Sequence, residues 1–176
     1  ENGPHNTDGV SIFTSSDVSL HNCSIASGDD NVVIKGNSKR IHAQQLRLWR
    51  GKGVAIGSLG EDGSGTQEVR HVHFNDVYVS RSMFGARIKT WQGGLGLVSN
   101  ITFESFSLED VNYGIFIDQK YCPLSQKPQG CSQSRSAVKI EDVNFNSFRG
   151  TVNSQDRVIS CINCRGINYA NLAMHR

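Results

Sequence analysis

Ser27-Gly28-Asp29-Asp30-Asn31-Val32-Val33-Ile34-Lys35 sets two adjacent carboxylates directly before a short β-branched run. Period-two alternation turns Val32 and Ile34 toward a core and Val33 and Lys35 outward. The element recurs. Gly9-Val10-Ser11-Ile12-Phe13 precedes it and Gly53-Val54-Ala55-Ile56-Gly57 follows it, and one constant offset carries Val10 to Val32 and Val32 to Val54. Further copies follow at wider offsets at Gly85-Ala86-Arg87-Ile88-Lys89, at Gly114-Ile115-Phe116-Ile117-Asp118 and, more weakly, at Arg157-Val158-Ile159-Ser160-Cys161. After each copy comes a second strand-like segment: residues 18–25, 40–48, 69–79, 98–108, 138–148 and 167–174. Short strands at a period in the twenties, divided by Gly, Asn, Ser and Asp turns and free of heptads, specify an all-β stacked solenoid. The best fit is a parallel β-helix of about six coils, in which equivalent positions stack about 4.8 Å apart.

Composition narrows the function classes. The chain has 176 residues, 37% of them hydrophobic and only 3 of them Pro, which suits one packed domain without a disorder signature. Eighteen Lys and Arg against 16 Asp and Glu leave a formal charge of +2, too little to argue for nucleic acid or a membrane surface as partner. No apolar run reaches the length of a spanning helix. The chain begins at Glu1-Asn2-Gly3 and enters the first repeat almost at once. A β-helix open at its first coil exposes apolar core ends and an unpaired ladder, so the expectation is a single β-helix domain over residues 1–176, cut from a longer chain.

Five cysteines stand at 23, 122, 131, 161 and 164. Cys122 and Cys131 flank a loop with little core of its own, and Cys161-Ile162-Asn163-Cys164 sits between strand segments. Two local disulfides and one inward, buried thiol at Cys23 is the economical reading, and it favours an oxidising, extracellular setting. The rival is a C-x-x-C metal or redox pair, which has no second pair at ligand spacing. Asn22-Cys23-Ser24 and Asn100-Ile101-Thr102 fit the N-glycosylation acceptor pattern.

The carboxylates are the chemical signal. Asp8, in Asn6-Thr7-Asp8-Gly9, stands to Val10 as Asp30 stands to Val32, so the two stack on neighbouring coils. Asp29 is one residue off that register, which sets its Cα roughly 6 Å from that of Asp8. One Asp at a solenoid corner is an ordinary turn residue. Three converging on one patch repel each other, and perturbed pKa values at such a patch usually mark function. Lys52, one further repeat on, stands likewise to Val54 and falls in the same column, either as a neutraliser or as a holder of a substrate carboxylate. Arg87 and Lys89 share one outward face close to this patch and suit a carboxylate-bearing ligand. Trp91 and Tyr121 offer flat apolar surfaces for a sugar ring or for packing under a loop. His71 and His73 alternate with Val72 and Phe74 on a face read as solvated, since no third metal ligand accompanies them. The Gly-rich loop at 57–65 follows a strand without opening a helix, which removes the phosphate-cradle reading and leaves a rim loop.

Together, Asn6-Thr7-Asp8-Gly9, Gly28-Asp29-Asp30, Gly51-Lys52-Gly53 with Ile56-Gly57-Ser58-Leu59-Gly60, Arg87-Ile88-Lys89 and Tyr121 resemble the polygalacturonase family of glycoside hydrolases, in order and spacing across the whole chain. The resemblance implies a right-handed parallel β-helix longer than this chain, which would be its catalytic and C-terminal coils. It implies a secreted, monomeric, cofactor-free enzyme that cleaves α-linked galacturonosyl bonds in pectin with inversion, possessing no metal. By position, Asp29 resembles the general acid, Asp8 and Asp30 the carboxylates that activate water, and Arg87, Lys89 and Tyr121 the substrate-binding set that Lys52 would join. An inverting pair calls for carboxyls about 6.5–9.5 Å apart.

Two departures accompany the match. Lys52 stands where the family usually has His, and an ammonium does not share protons near neutral pH as an imidazole does. Asn31 and Leu48 stand where many members have a cysteine pair. Lys52 therefore keeps xylogalacturonan or rhamnogalacturonan hydrolysis open within the class, and a non-catalytic β-helix that binds acidic polysaccharide open outside it. A pectate-lyase-like elimination would call for calcium ligands and an arginine base, which the Asp triad fits poorly.

Overall fold

A computed structural model describes residues 5–61, 65–123, 130–135 and 137–176. Among the described residues there are eleven strands: β1 Val10–Ile12, β2 Ser16–Ala26, β3 Val32–Ile34, β4 Ser38–Trp49, β5 Val54–Leu59, β6 Gln67–Ser80, β7 Phe84–Trp91, β8 Gly96–Tyr121, β9 Lys139–Ser160, β10 Cys164–Ala170 and β11 Ala173–His175. Every pairing between them is parallel. One ladder runs β1-β3-β5-β7 into residues 113–121 of β8, and a second runs β2-β4-β6 into residues 96–109 of the same strand. The chain is thus a right-handed parallel β-helix, the hand that crossovers between parallel strands almost always take.

The long strands cover more than one face because they bend at fixed places. Asp17, Arg40, His71, Asn100, Asp142 and Gly166 occupy one register column, all with φ between 54° and 64°. Asn22, Gln45, Asp76, Ser105, Ser147 and Asn171 form a second such column five residues on, with φ between 53° and 58°. Asn, Asp and Gly tolerate this left-handed conformation best, which explains their recurrence there. The first column corrects the expectation for the histidines. His71 sits at a corner and bonds Asn100 (3.0 Å), whereas His73 lies past the bend, bonds Glu104 (3.1 Å) and packs on His42.

Inward positions stack like with like. Phe74, Phe103, Phe145 and Tyr169 form a column with ring centroids 5.5, 5.0 and 5.5 Å apart, and Phe106 lies 4.5 Å from Phe148. Such contacts add about 0.5–1.5 kcal/mol each beyond area burial. The inward column Ile12, Ile34, Ile56, Ile88, Ile117 and Ile159 backs the short strands. The last coil is shifted from its expected register: Arg157 pairs with Ile115 rather than Gly114. That register keeps Ile159 in the isoleucine column and turns Arg157 toward the end of the core, against the Tyr169 ring.

Cys122–Cys131 and Cys161–Cys164 are disulfides. Cys23 is free and inward in the column of Leu46, Val77, Phe106 and Phe148, but only half-buried, since it ends that column. Asn22 and Asn100 are both exposed corner residues. Residues 62–64 of the Gly-rich loop lie outside the described residues.

Candidate active site

The short strands bring the singled-out residues onto one face. Asp8, Asp30 and Lys52 each stand two residues before the register-matched Val10, Val32 and Val54, so they share a column at the corner that enters β1, β3 and β5. The backbone locks this corner: Gly9 N–H donates to Asp30 O (2.9 Å) and Lys52 N–H to Asp29 O (2.8 Å). One oxygen from each of Asp8, Asp29 and Asp30 lies within 4.8 Å of the others.

Each carboxylate has its own lysine. Lys35 Nζ bonds Asp8 Oδ2 at 2.9 Å, Lys52 Nζ bonds Asp29 Oδ2 at 2.7 Å, and Lys89 Nζ bonds Asp30 Oδ2 at 2.6 Å. Ser11 Oγ also donates to Asp8 Oδ2, and Asp30 N–H donates to Asp29 Oδ1. Three carboxylate oxygens at this spacing would suit a cation, but each residue is already neutralised by an ammonium.

Burial separates the acids electrostatically. Burial raises Asp30 above the ordinary carboxylate range, with the Asp29 charge adding to the rise and Lys89 opposing it. For Asp8, burial also pushes upward but is outweighed by the Ser11 and Lys35 hydrogen bonds and by the Lys35 and Lys89 charges, so its carboxyl lies below the ordinary value. Asp30 Oδ1 is buried without a hydrogen-bond partner among the described residues.

The cationic pair lies on the outward face, as expected, but is buried there. Arg87 is 9% exposed and Lys89 is 6% exposed. Outward on a β-helix is not the same as in water, because side chains from the same and the next coil enclose the groups on the sheet. The Arg87 guanidinium carbon lies 4.5 Å from the Phe84 ring, 5.2 Å from Tyr121 and 5.7 Å from Phe116. Its Nε finds no partner among the described residues, and burial lowers its pKa. Lys89 holds Asp30. Tyr121 is half-buried over both cations, while Trp91 is buried and meets Tyr121 edge-on, as packing rather than as an exposed surface.

Sequence reasoning left out Lys35 and Ser11, the partners of Asp8. Their outward alternation on β3 and β1 was the available signal. Asn31 also gains a role. Its Oδ1 accepts from Gly53 N–H (2.9 Å), and its Nδ2 donates to Arg50 O (2.9 Å) and Ile25 O (3.2 Å), so it clasps two coils where many relatives of the resembled family carry a cysteine.

The family model for glycosyl hydrolases family 28 matches residues 1–175. The chain belongs to that family. It is 38% identical over 166 residues to a polygalacturonase of Malus domestica and 40% identical over 166 residues to a probable polygalacturonase of Arabidopsis thaliana, covering 92% of this chain in both comparisons. These alignments cover 35% and 36% of the relatives, so this family 28 chain spans about a third of the length of the curated relatives it matches. Among solved structures, an endo-xylogalacturonan hydrolase from Aspergillus tubingensis superposes with a TM-score of 0.82 at 23% identity, over 99% of this chain and 48% of the other. A polygalacturonase from Erwinia carotovora superposes at 0.77 and 22% identity, over 97% and 43%. Both share the β-helix.

Proposed function

We propose that this family 28 protein hydrolyses α-linked galacturonosyl bonds in pectin, as a secreted, monomeric enzyme that needs no cofactor. The observation that carries the reading is the meeting of Asp8, Asp29 and Asp30 within 4.8 Å beside a buried arginine whose Nε has no partner among the described residues. Asp29 is the general acid: its proton passes to the glycosidic oxygen as the bond to the anomeric carbon breaks. Water then attacks that carbon and gives its proton to Asp8 or Asp30. Asp8, held low, is ionised across the neutral range, and the unpartnered Asp30 Oδ1 is an acceptor for a water proton. The Arg87 guanidinium is suited to a galacturonate carboxylate, with Tyr121 against the ring. The two disulfides suit an oxidising, extracellular setting.

Inversion is the expected course, although the oxygen spacing is tighter than the usual inverting separation of about 6.5–9.5 Å. Lys52 bonds Asp29, and substrate displacing it would free the acid to carry a proton. The reading is tested by reducing-sugar release from polygalacturonate with an Asp29→Asn control, and by NMR of the first-formed anomer. Release of the inverted anomer that vanishes in the control is expected. No release from polygalacturonate, rhamnogalacturonan or xylogalacturonan would leave the second reading, a polysaccharide-binding β-helix. That reading is favoured by one contact, the Lys52 ammonium occupying Asp29.

A further inference from the structure

Beyond Arg87 the groove changes character. The corner column that begins Asp8, Asp30 and Lys52 continues as Phe84 and Tyr113, and the outward column of Ser11, Val33, Ala55 and Arg87 continues as Phe116 and Val158. Phe84, Tyr113 and Phe116 form a triangle with ring centroids 5.6, 5.2 and 4.8 Å apart. Phe84 is buried beneath, Tyr113 and Phe116 are half-exposed, and Met83 beside them is 41% exposed. Three coils separate Asp30 from Tyr113, about 14 Å along the axis.

The charges around this triangle are unlike those around the acids. Asp118 stands next to Phe116 on the outer face of β8, and the equivalent places one coil further on are Gln155, Val158 and Ser160. Lys89 turns back to Asp30 and does not face this way. Arg157 points to the core end over Tyr169, paired with Asp156. Lys120 is exposed but lies four residues past Phe116, about 13 Å further along the strand. Arg87 is the cation against the triangle, 4.5 Å from the Phe84 ring and 5.7 Å from Phe116, and one guanidinium serves one carboxylate, in this reading that of the sugar ring on its own coil. The next ring along would place a free carboxylate against Asp118.

Resting on the hydrolase reading for the position of the substrate chain, we propose that Tyr113 and Phe116 form a subsite for an uncharged pyranosyl unit. A methyl-esterified galacturonosyl or a neutral sugar residue stacks on one of these rings against the other, and a free galacturonate is disfavoured there by Asp118. The Tyr113 and Phe116 rings meet edge-on, 71° apart, so one ring offers its face to a pyranose and the other closes the subsite as an apolar wall, and the neighbouring carboxylate supplies discrimination against a like charge.

The test is affinity electrophoresis of the purified protein in gels holding polygalacturonate, highly methyl-esterified pectin or rhamnogalacturonan, alongside Tyr113→Ala and Tyr113→Arg, with circular dichroism confirming that each variant keeps its β signal. Tyr113→Ala is expected to weaken retardation by esterified pectin or rhamnogalacturonan about fivefold and to leave polygalacturonate within twofold. Tyr113→Arg is expected to shift selectivity toward polygalacturonate. Whichever uncharged polymer is the more sensitive names the natural unit. Equal loss in all three gels, unchanged binding, or a wild type held only by polygalacturonate overturns the subsite. Selective binding with no sugar release from any polymer defeats the hydrolase reading and leaves the subsite standing, while hydrolysis indifferent to Tyr113 does the reverse.

Discussion

Lys89, on the fourth coil, reaches past the third to bond Asp30 on the second, at 2.6 Å. The span is about 10 Å between the strand axes. It is possible because the intervening coil presents only Ala55 and Gly57 on that face. Both partners are almost fully buried, with side chains 8% and 2% exposed. Removing one partner of such a pair leaves a buried charge. Lys89→Ala is expected to lower stability by about 3–5 kcal/mol in urea denaturation. Lys35→Ala, which breaks the more exposed pair with Asp8, is expected to lower it by less than about 1 kcal/mol. Equal effects would mean the Lys89 pair is no better sheltered than the Lys35 pair.

Gly57 keeps that route open. A Cβ there would run into the Lys89 carbonyl, and its φ of 100° is strained for any L side chain. Gly57→Ala should displace β7 and loosen the Lys89 to Asp30 contact. Activity on polygalacturonate is expected to fall at least tenfold while the protein remains folded by circular dichroism.

Lys52→His should raise activity. Lys52 bonds Asp29 Oδ2, and an ammonium cannot trade its proton with the acid near neutral pH, whereas an imidazole titrates near 6.5. A gain in kcat of about tenfold at mildly acid pH is expected. An unchanged or lower kcat would show that Lys52 serves substrate rather than Asp29.

Asp8 links stability to pH. Its folded pKa is depressed, so it contributes stability above its unfolded value near 3.8, and that contribution is lost as pH falls through the folded value. Thermal unfolding midpoints should therefore drop less steeply between about pH 5 and pH 2 in Asp8→Asn than in the wild type. Asp30, raised by burial, works the opposite way, because its contribution shrinks as pH rises. A steeper drop in Asp8→Asn would contradict the ion pair with Lys35.

Asn31→Ala should be among the more damaging single changes in the first coils. It removes the acceptor of the buried Gly53 N–H and the donor to the part-buried Ile25 and Arg50 carbonyls. A loss of roughly 3 kcal/mol is expected, measured by chemical denaturation. A loss under about 1 kcal/mol would mean the corner relaxes to pair these groups elsewhere.

Much of the molecule was legible as a linear pattern. Val32 and Ile34, recurring one repeat later as Val54 and Ile56, announce stacked parallel strands because a coil of constant length must return like residues to like places. Asp8 and Asp30 follow from the same arithmetic, as does Lys52 beside them. The arithmetic weakened where coil length varied, and at Arg157 it missed by one residue, since an insertion can be taken up at either end of a strand.

Periodicity in this chain determines which residues share a column, because that depends only on spacing along the backbone. It does not determine what lies over a column or how far a flexible side chain travels. Arg87 and Lys89 read as an outward cationic pair beside the acids, yet Phe84, Phe116 and Tyr121 enclose the first and Asp30 captures the second. The pairing of three lysines with three carboxylates, the clasp at Asn31 and the bend at His71 belong to the folded molecule alone. Each depends on contacts between coils or on a backbone conformation, and local sequence encodes neither directly.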